Sequence, residues 1–175
     1  MGTNFPRLVK SLHQATRIFH ESWRRNGYKR PEAIEVIDAR NNAWSALSLL
    51  FNELERYEKD FLAGETWAID AIIEFLEVDI PAFRCGYAKE RYYRKLKSLA
   101  LTEQQKDRIK NIAFKMSQSD NYRREFRDLA RLMVKLADRE FVEKMKSISE
   151  NSTPNIKFKI RIILETILQN RLDLR

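Results

Sequence analysis

Cysteine and histidine are almost absent from this sequence, and their scarcity excludes several kinds of chemistry. Cys85 is the only cysteine among 175 residues, so an intrachain disulfide, a thiolate zinc cage and a CxxC redox pair cannot form. A reducing cytoplasm is the simplest location for such a chain. Cys85 follows Arg84 near a predicted helix start, where a thiol pKa can be lowered, but a cysteine of this kind more often packs as a small buried hydrophobe.

The two histidines do not form a catalytic or metal-binding pattern. His13 and His20 are seven residues apart, which on a helix separates them by about 10 Å, too far to share a metal without other ligands. Lys10 and Arg17 stand three residues before them, where di-iron helical bundles place a glutamate. Since a Gly-rich phosphate loop and a nucleophile triad are also missing, we expect no catalytic residue, cofactor or metal, and favour a noncatalytic protein.

Long apolar runs and targeting signals are missing too. No stretch approaches 18 consecutive apolar residues, and the first residues lack the basic region and apolar run of a signal peptide. Pro6 stands where the myristoylation pattern after Gly2 requires Ser or Thr. We therefore expect a soluble cytoplasmic protein with neither a membrane span nor an obvious anchor.

Glycine and proline are scarce, with four of each, and the apolar residues recur at helical spacing. One amphipathic helix is predicted over 6–25 and a long one over 31–64, with a break at Asn41-Asn42 as an open alternative. Thr102-Glu103-Gln104-Gln105 is a capping box that starts a later helix. No segment shows sustained period-two alternation, so we predict an all-α fold with no strand longer than three residues.

Beyond Gly64 the predicted helices become shorter and alternate. Helix pairs are expected at about 66–97, 102–137 and 138–172, with a period near the ~40 residues of HEAT-type units. We therefore distinguish two parts within one compact unit. They are the N-terminal helices, one basic and one long and acidic, over 1–64, and the helical pairs over 65–175.

Two short identities support the repeat. Phe83-Arg84 and Phe126-Arg127 begin corresponding second helices 43 residues apart. Together with the alternation, they resemble HEAT-like helical repeats over a little more than half of the chain. The resemblance implies a short right-handed α-α superhelix, and an irregular helical bundle is the alternative.

Charge is distributed unevenly along the chain, and the total of +8 conceals opposing segments. The net charge is +6 over 1–30, −9 over 31–80, +9 over 81–137 and +2 over 138–175. Such asymmetry suits attraction between parts of the chain or steering of an acidic partner, but it also arises from ordinary solvated faces.

The basic segment contains two stripes with the same i, i+7, i+11 spacing. In a repeat stack, second helices lie side by side on the concave surface, so we predict one continuous, solvent-open basic groove. The alternative is the ordinary solvated face of amphipathic helices. Repulsion between the cations would be offset by a bound polyanion or by the acidic segment 31–80. The predicted groove residues are Arg84, Arg91, Lys95, Arg124, Arg127, Arg131 and Lys135.

Most aromatic residues follow apolar stripes and are predicted to be buried. Tyr92, Tyr93 and Tyr122 differ because they lie among arginines, a mixture that stacks on unpaired bases or packs beside phosphates. Of these, Tyr92 is assigned to the predicted groove. The residues expected in the core are Trp44, Leu47, Phe51, Trp67, Ile72, Phe75, Ile112 and Leu129.

Two functions are compatible with these patterns. The first is a noncatalytic interaction module that presents its basic groove to an acidic protein partner. The alternative is a nucleic-acid binder that contacts phosphates without reading sequence. Helical-repeat DNA glycosylases for alkylated bases, which the chain resembles in architecture only, grip a duplex through a basic concave face, but none of their catalytic residues can be placed here.

Overall fold

The computed structural model describes residues 3–27, 29–78, 83–119, 123–171 and 174, and these residues are almost entirely helical. They contain eight α-helices and no strand, which confirms the predicted all-α fold. The chain divides into two compact units, Met1–Pro81 and Ala82–Arg175. The helices are α1 (Phe5–Ser22, extended by a π-helical turn, Trp23–Gly27), α2 (Ile34–Ala63), α3 (Thr66–Glu77), α4 (Phe83–Leu96), α5 (Glu103–Gln118), α6 (Phe126–Leu136), α7 (Arg139–Glu150) and α8 (Pro154–Asn170).

In the first unit, α2 packs against both α1 and α3. It runs without a break through Asn41, where an interruption was an open alternative. It ends at Gly64, whose left-handed φ of 90° glycine adopts without steric cost. Fully buried Phe5 anchors the start of α1, with ring centroids 5.6 Å from Tyr57 and 5.8 Å from Phe75.

The burial prediction is wrong for two tryptophans. Trp44 is 51% exposed and Trp67 is 53% exposed. Trp44 lies about a quarter of a turn from the buried stripe of α2. Trp67 lies on the exposed side of α3, where its ring packs edge-to-face with Tyr57 at a centroid distance of 5.7 Å. Phe51 is half-buried. The other predicted core residues are buried, namely Leu47, Ile72, Phe75, Ile112 and Leu129.

In the second unit, α4 runs parallel to α6, and α5 runs parallel to α7. Glu90 of α4 is bonded to Arg124, just before α6, and Arg94 of α4 is bonded to Asp128 of α6. The separation along the chain is 34 residues in both pairs, which means that the two helices run in the same direction. α5 and α7 follow the same rule, since Lys110 bonds Asp138 at 2.7 Å and Phe114 packs on Phe141 with centroids 4.7 Å apart. The parallel pairs place the corresponding faces of α4 and α6 side by side.

Local start signals account for several helix boundaries. The Thr102 hydroxyl accepts a hydrogen bond from the Gln105 amide at 3.2 Å, and the Gln105 side chain accepts one from the Thr102 amide at 3.1 Å, which confirms the capping box. Asp138 caps α7 by accepting from the Phe141 amide at 2.8 Å. In contrast, α3 begins at Thr66 after Glu65, whose side chain makes no capping hydrogen bond.

Basic side chains from later helices bind the carbonyl ends of earlier ones. Lys159 of α8 is 0% exposed and donates to the carbonyl of Ser119, just after α5, and to that of Met116 at 3.4 Å. Lys135 of α6 donates to the carbonyls of Lys97 and Leu99, just after α4, at 2.9 and 2.8 Å. Because a helix C-terminus carries unpaired carbonyls and a partial negative charge, each ammonium stabilises the helix end that it binds.

Candidate functional site

Three exposed arginines, one on α4, one in the turn just before α6 and one on α6, surround two buried carboxylates of the same two helices. Glu90 and Asp128 are only 6% and 5% exposed. The side chains of Arg94, Arg124 and Arg131 are 59%, 58% and 63% exposed. We call Arg124, Arg94 and Arg131 the arginine row, and Glu90 and Asp128 the acid pair. Together they form the candidate site.

Arg94 lies at the centre of this arrangement and joins the two helices. Its Nε and Nη2 donate to Oδ2 of Asp128 at 3.1 and 2.9 Å, and Nη2 also donates to Oε2 of Glu90 at 3.1 Å. Arg94 and Glu90 belong to α4, whereas Asp128 belongs to α6. Since both acids bond the same guanidinium, the position of Arg94 is set from both helices.

The outer two arginines are held by the same acids. Nε of Arg124 donates to Oε1 of Glu90 at 2.6 Å, and its Nη1 donates to the Tyr87 hydroxyl at 2.9 Å. The Arg124 guanidinium also lies over the Tyr87 ring, 4.2 Å from its centroid, in a cation–π contact. Arg131 is held more loosely, with Nη1 3.5 Å from Oδ1 of Asp128. Positive and negative groups therefore alternate across the candidate site.

The electrostatics keep the buried acid ionised. Burial by itself raises the pKa of Asp128, but the hydrogen bonds and charge of Arg94 outweigh burial, and Arg131 and Lys97 lower it further. The net pKa of Asp128 is below its usual range. Asp128 is therefore a carboxylate at neutral pH and can bind guanidinium groups at full charge.

The predicted groove residues that lie outside the arginine row occupy the same two helices. Arg84, Arg91 and Arg127 are exposed, and Lys95 is half-buried. The Arg91 guanidinium lies 5.2 Å from the ring centroid of its neighbour Tyr92. Lys135, the seventh predicted groove residue, is also exposed. Bonds between α4 and α6 thus bring the two predicted stripes onto adjacent helix faces.

Two tyrosines assigned a stacking role do not have an accessible ring. Tyr92 is 2% exposed and Tyr93 is 0% exposed, so both rings belong to the core. The prediction that Tyr92 contributes to a binding surface is wrong, because α4 turns this residue inward. Tyr122 lies outside the described residues. Beside the arginine row, the ring of Tyr87 is 43% exposed, and sequence reasoning did not assign this residue to the site.

Sequence reasoning also missed the residues that organise the site. Arg94 and the acid pair were not among the predicted groove residues, although Glu90 precedes Arg94 by four positions and Asp128 precedes Arg131 by three. These spacings are typical of helical ion pairs and were the available signal. Ion pairs with Glu90 and Asp128 offset repulsion within the arginine row, and these acids on the basic helices themselves were not expected from the sequence.

Cys85, considered above for a lowered pKa, is fully buried instead. Burial raises the pKa of the Cys85 thiol to about 11, with smaller opposing effects from Lys89 and Arg84 and a reinforcing one from Glu125. Because the thiolate is the reactive form, we expect the native chain to react with Ellman's reagent more than about a hundredfold more slowly than the urea-unfolded chain. Equal rates at pH 8 would show that the thiol is accessible.

Comparison with known proteins finds no matching family model, curated protein or solved structure. Across the described part of the chain, no helix combines the length and apolar character needed to cross a membrane. In that same part, no group of three or more His, Cys, Asp or Glu side chains is placed to hold a metal ion.

Proposed function

We propose that the second unit is a noncatalytic interaction module that docks an acidic protein partner through the arginine row and its flanking cations. One observation carries the proposal. Three solvent-exposed arginines, two held closely and Arg131 more loosely, bond two carboxylates that are themselves almost completely buried. A merely solvated helix face needs no buried acids, because water already stabilises its cations.

The open donors of the row suit carboxylate groups. Arg94 uses Nε and Nη2 internally, and Arg124 uses Nε and Nη1. Within the described residues, Nη1 of Arg94 and Nη2 of Arg124 have no hydrogen-bond partner. A guanidinium group that is already oriented on one side presents its remaining N–H donors in a fixed direction, which favours charge-assisted hydrogen bonds to an Asp or Glu side chain.

The same features favour a protein partner over a nucleic acid. The acid pair neutralises two of the three charges in the row, whereas binding to a phosphate backbone without sequence recognition depends on accumulated positive charge. The burial of Tyr92 and Tyr93 also removes the rings proposed to stack on unpaired bases. Short-range hydrogen bonding to carboxylates makes fuller use of this geometry than long-range attraction does.

We also propose that the second unit is a short HEAT-like stack. Support comes from the parallel course of α4 with α6 and of α5 with α7, since corresponding helices of successive repeats run in the same direction. Arg171, just after α8, donates to the carbonyl of Val134 in the last turn of α6 at 3.2 Å. The ends of α6 and α8 therefore lie together, as they would if α8 also ran parallel to α6. A cytoplasmic location is proposed with it, supported by the single unpaired cysteine.

Neutralising one cation on each helix tests the docking surface. We expect Arg91→Gln combined with Arg131→Gln to weaken binding of a 20-residue polyglutamate peptide at least about tenfold, because losing even one charge-assisted contact of about 1.5 kcal/mol lowers the affinity by about that factor. Affinity is measured by fluorescence anisotropy on the full chain. The matched control, Lys106→Gln with Lys146→Gln, removes two charges paired with exposed acids on α5 and α7, and should leave the affinity within about twofold.

The alternative function is tested in the same assay. Random-sequence DNA and RNA are titrated at two ionic strengths, since nonspecific phosphate binding gives a steep linear fall of log affinity with log salt. Tighter binding to these polymers than to the peptide would favour the nucleic-acid function. A peptide affinity reduced equally by both double variants would show that only net charge matters and would contradict the proposed surface.

A further inference from the structure

We propose that Glu90 and Asp128 are positioning residues that preorganise the arginine row for carboxylate ligands on an acidic partner. The inference rests on the proposed docking function and adds to it the residues that set the affinity of the site. It assigns a role to buried acids that do not themselves contact the partner.

Bonds from the acid pair hold the arginine row in place, and we call this set of bonds the brace. Each acid bonds two arginines: Glu90 holds Arg124 and Arg94, and Asp128 holds Arg94 and Arg131. Arg94 is shared, so the five groups form one continuous chain across two helices. A free arginine side chain populates many rotamers, and binding must then order it, whereas a braced one is ordered before the partner arrives.

The acids are also placed where they can act only through the arginines. They are 6% and 5% exposed, so a partner on this face meets the guanidinium groups and not the carboxylates. Tyr87 completes the brace on one side, because its hydroxyl accepts from Arg124 while its ring packs beneath the same guanidinium. The brace therefore orients the cations from below and leaves their outer side open.

Positioning and simple electrostatics predict opposite results when an acid is neutralised. Replacing a carboxylate with its amide makes the surface more positive by one charge, so electrostatics alone predicts tighter binding of an acidic peptide. If the acid preorganises the arginines, the same change releases them and weakens binding despite the added positive charge. The direction of the change therefore separates the two explanations.

The test uses Glu90→Gln, Asp128→Asn and the double variant of the full chain, with the polyglutamate peptide as the probe. Glutamine and asparagine keep the shape and one acceptor oxygen of each acid. We expect each single variant to bind the peptide about three- to tenfold more weakly, which is the usual cost of ordering one released arginine side chain. The charge-matched control is Glu143→Gln, which neutralises a carboxylate 63% exposed on α7 and should bind as tightly as the original chain or slightly more tightly.

Two further measurements separate positioning from loss of stability. The Nε–Hε resonance of Arg94, observed by NMR, should lose its slowed exchange with water in Asp128→Asn, because Nε then loses its charged acceptor. Ile163→Val, a change in the buried core of α8, lowers stability without touching the brace and should retain full peptide affinity.

The outcomes distinguish this inference from the function on which it rests. If the original chain binds no peptide, or binds DNA in preference, the proposed docking function is overturned. If the original chain binds the peptide but Glu90→Gln and Asp128→Asn bind as tightly as Glu143→Gln, the positioning role is overturned and the docking function stands. Loss of affinity in Ile163→Val equal to that in Asp128→Asn would also overturn the positioning role.

Discussion

Replacing Arg94 with methionine is expected to lower the midpoint of thermal unfolding by several degrees. Arg94 is the group that both buried acids share, with bonds of 2.9 Å to Asp128 and 3.1 Å to Glu90. Methionine preserves most of the apolar stem but leaves two almost fully buried carboxylates without their central cation. Removing one partner of a buried ion pair destabilises because the remaining charge loses its compensation.

The effect of Arg94→Met should depend on pH in a defined direction. The pKa of Asp128 is lowered in the folded chain, so Asp128 stabilises the fold above its unfolded pKa of about 3.9, and this contribution is lost as the pH falls through the folded value. Without Arg94 the depression of the pKa is largely lost. The difference in unfolding free energy between the two chains should therefore be greatest near neutral pH and shrink below about pH 4.

The measurement is urea unfolding of both chains at pH 7 and pH 3. The control is Arg161→Met, which removes an arginine of similar exposure, 64%, from an exposed pair with Glu165 at 3.9 Å. Such a surface pair contributes little, so this variant should unfold close to the original chain at both pH values. A difference for Arg94→Met that does not change between the two pH values would contradict an ionised Asp128 as its cause.

Replacing Lys159 with methionine should lower the free energy of unfolding by about 1–3 kcal/mol. Lys159 is 0% exposed, and its ammonium donates to the carbonyls of Ser119 and Met116 at the end of α5. Methionine fills a similar volume but donates nothing, so carbonyl groups at a helix end are left without their donor. The removed positive charge had also opposed the negative end of the helix dipole.

The matched control for this lysine lies two positions earlier on the same helix. Lys157 is exposed, so Lys157→Met removes an equal charge and should change the free energy of unfolding by less than about 0.5 kcal/mol. Both variants are compared by urea unfolding followed by far-UV circular dichroism. If Lys159→Met is as stable as the original chain, burial of the ammonium cancels its bonds and the helix-end role is wrong.

Elements governed by neighbouring residues were predictable from the sequence. The capping box at Thr102, the glycine stop at Gly64 and the proline start at Pro154 each depend on backbone groups within a few residues. The all-α class follows from the same local periodicity. The position of Trp44 was not predictable in this way, because α2 has apolar residues on more than one side and packing decides which side is buried.

The arginine row illustrates the same limit at the candidate site. Two basic stripes could be read from spacing alone, but the residues that hold the cations were not identified. Arg94 meets Asp128, and Arg124 meets Glu90, across 34 residues of chain. Such pairs form only when two helices are packed at one particular register and direction, which no window of sequence specifies.

The sequence by itself determined the helical class, most helix boundaries, the exclusion of disulfides and the placement of positive charge over 81–137. The tertiary structure alone decided which of those charges are braced, which lysines bind helix ends and which aromatic rings are buried. Helix formation and capping are short-range and repeat along the chain, so composition and spacing record them. Contacts between helices depend on which faces meet, and a single side chain such as Tyr92 is turned from surface to core by that choice.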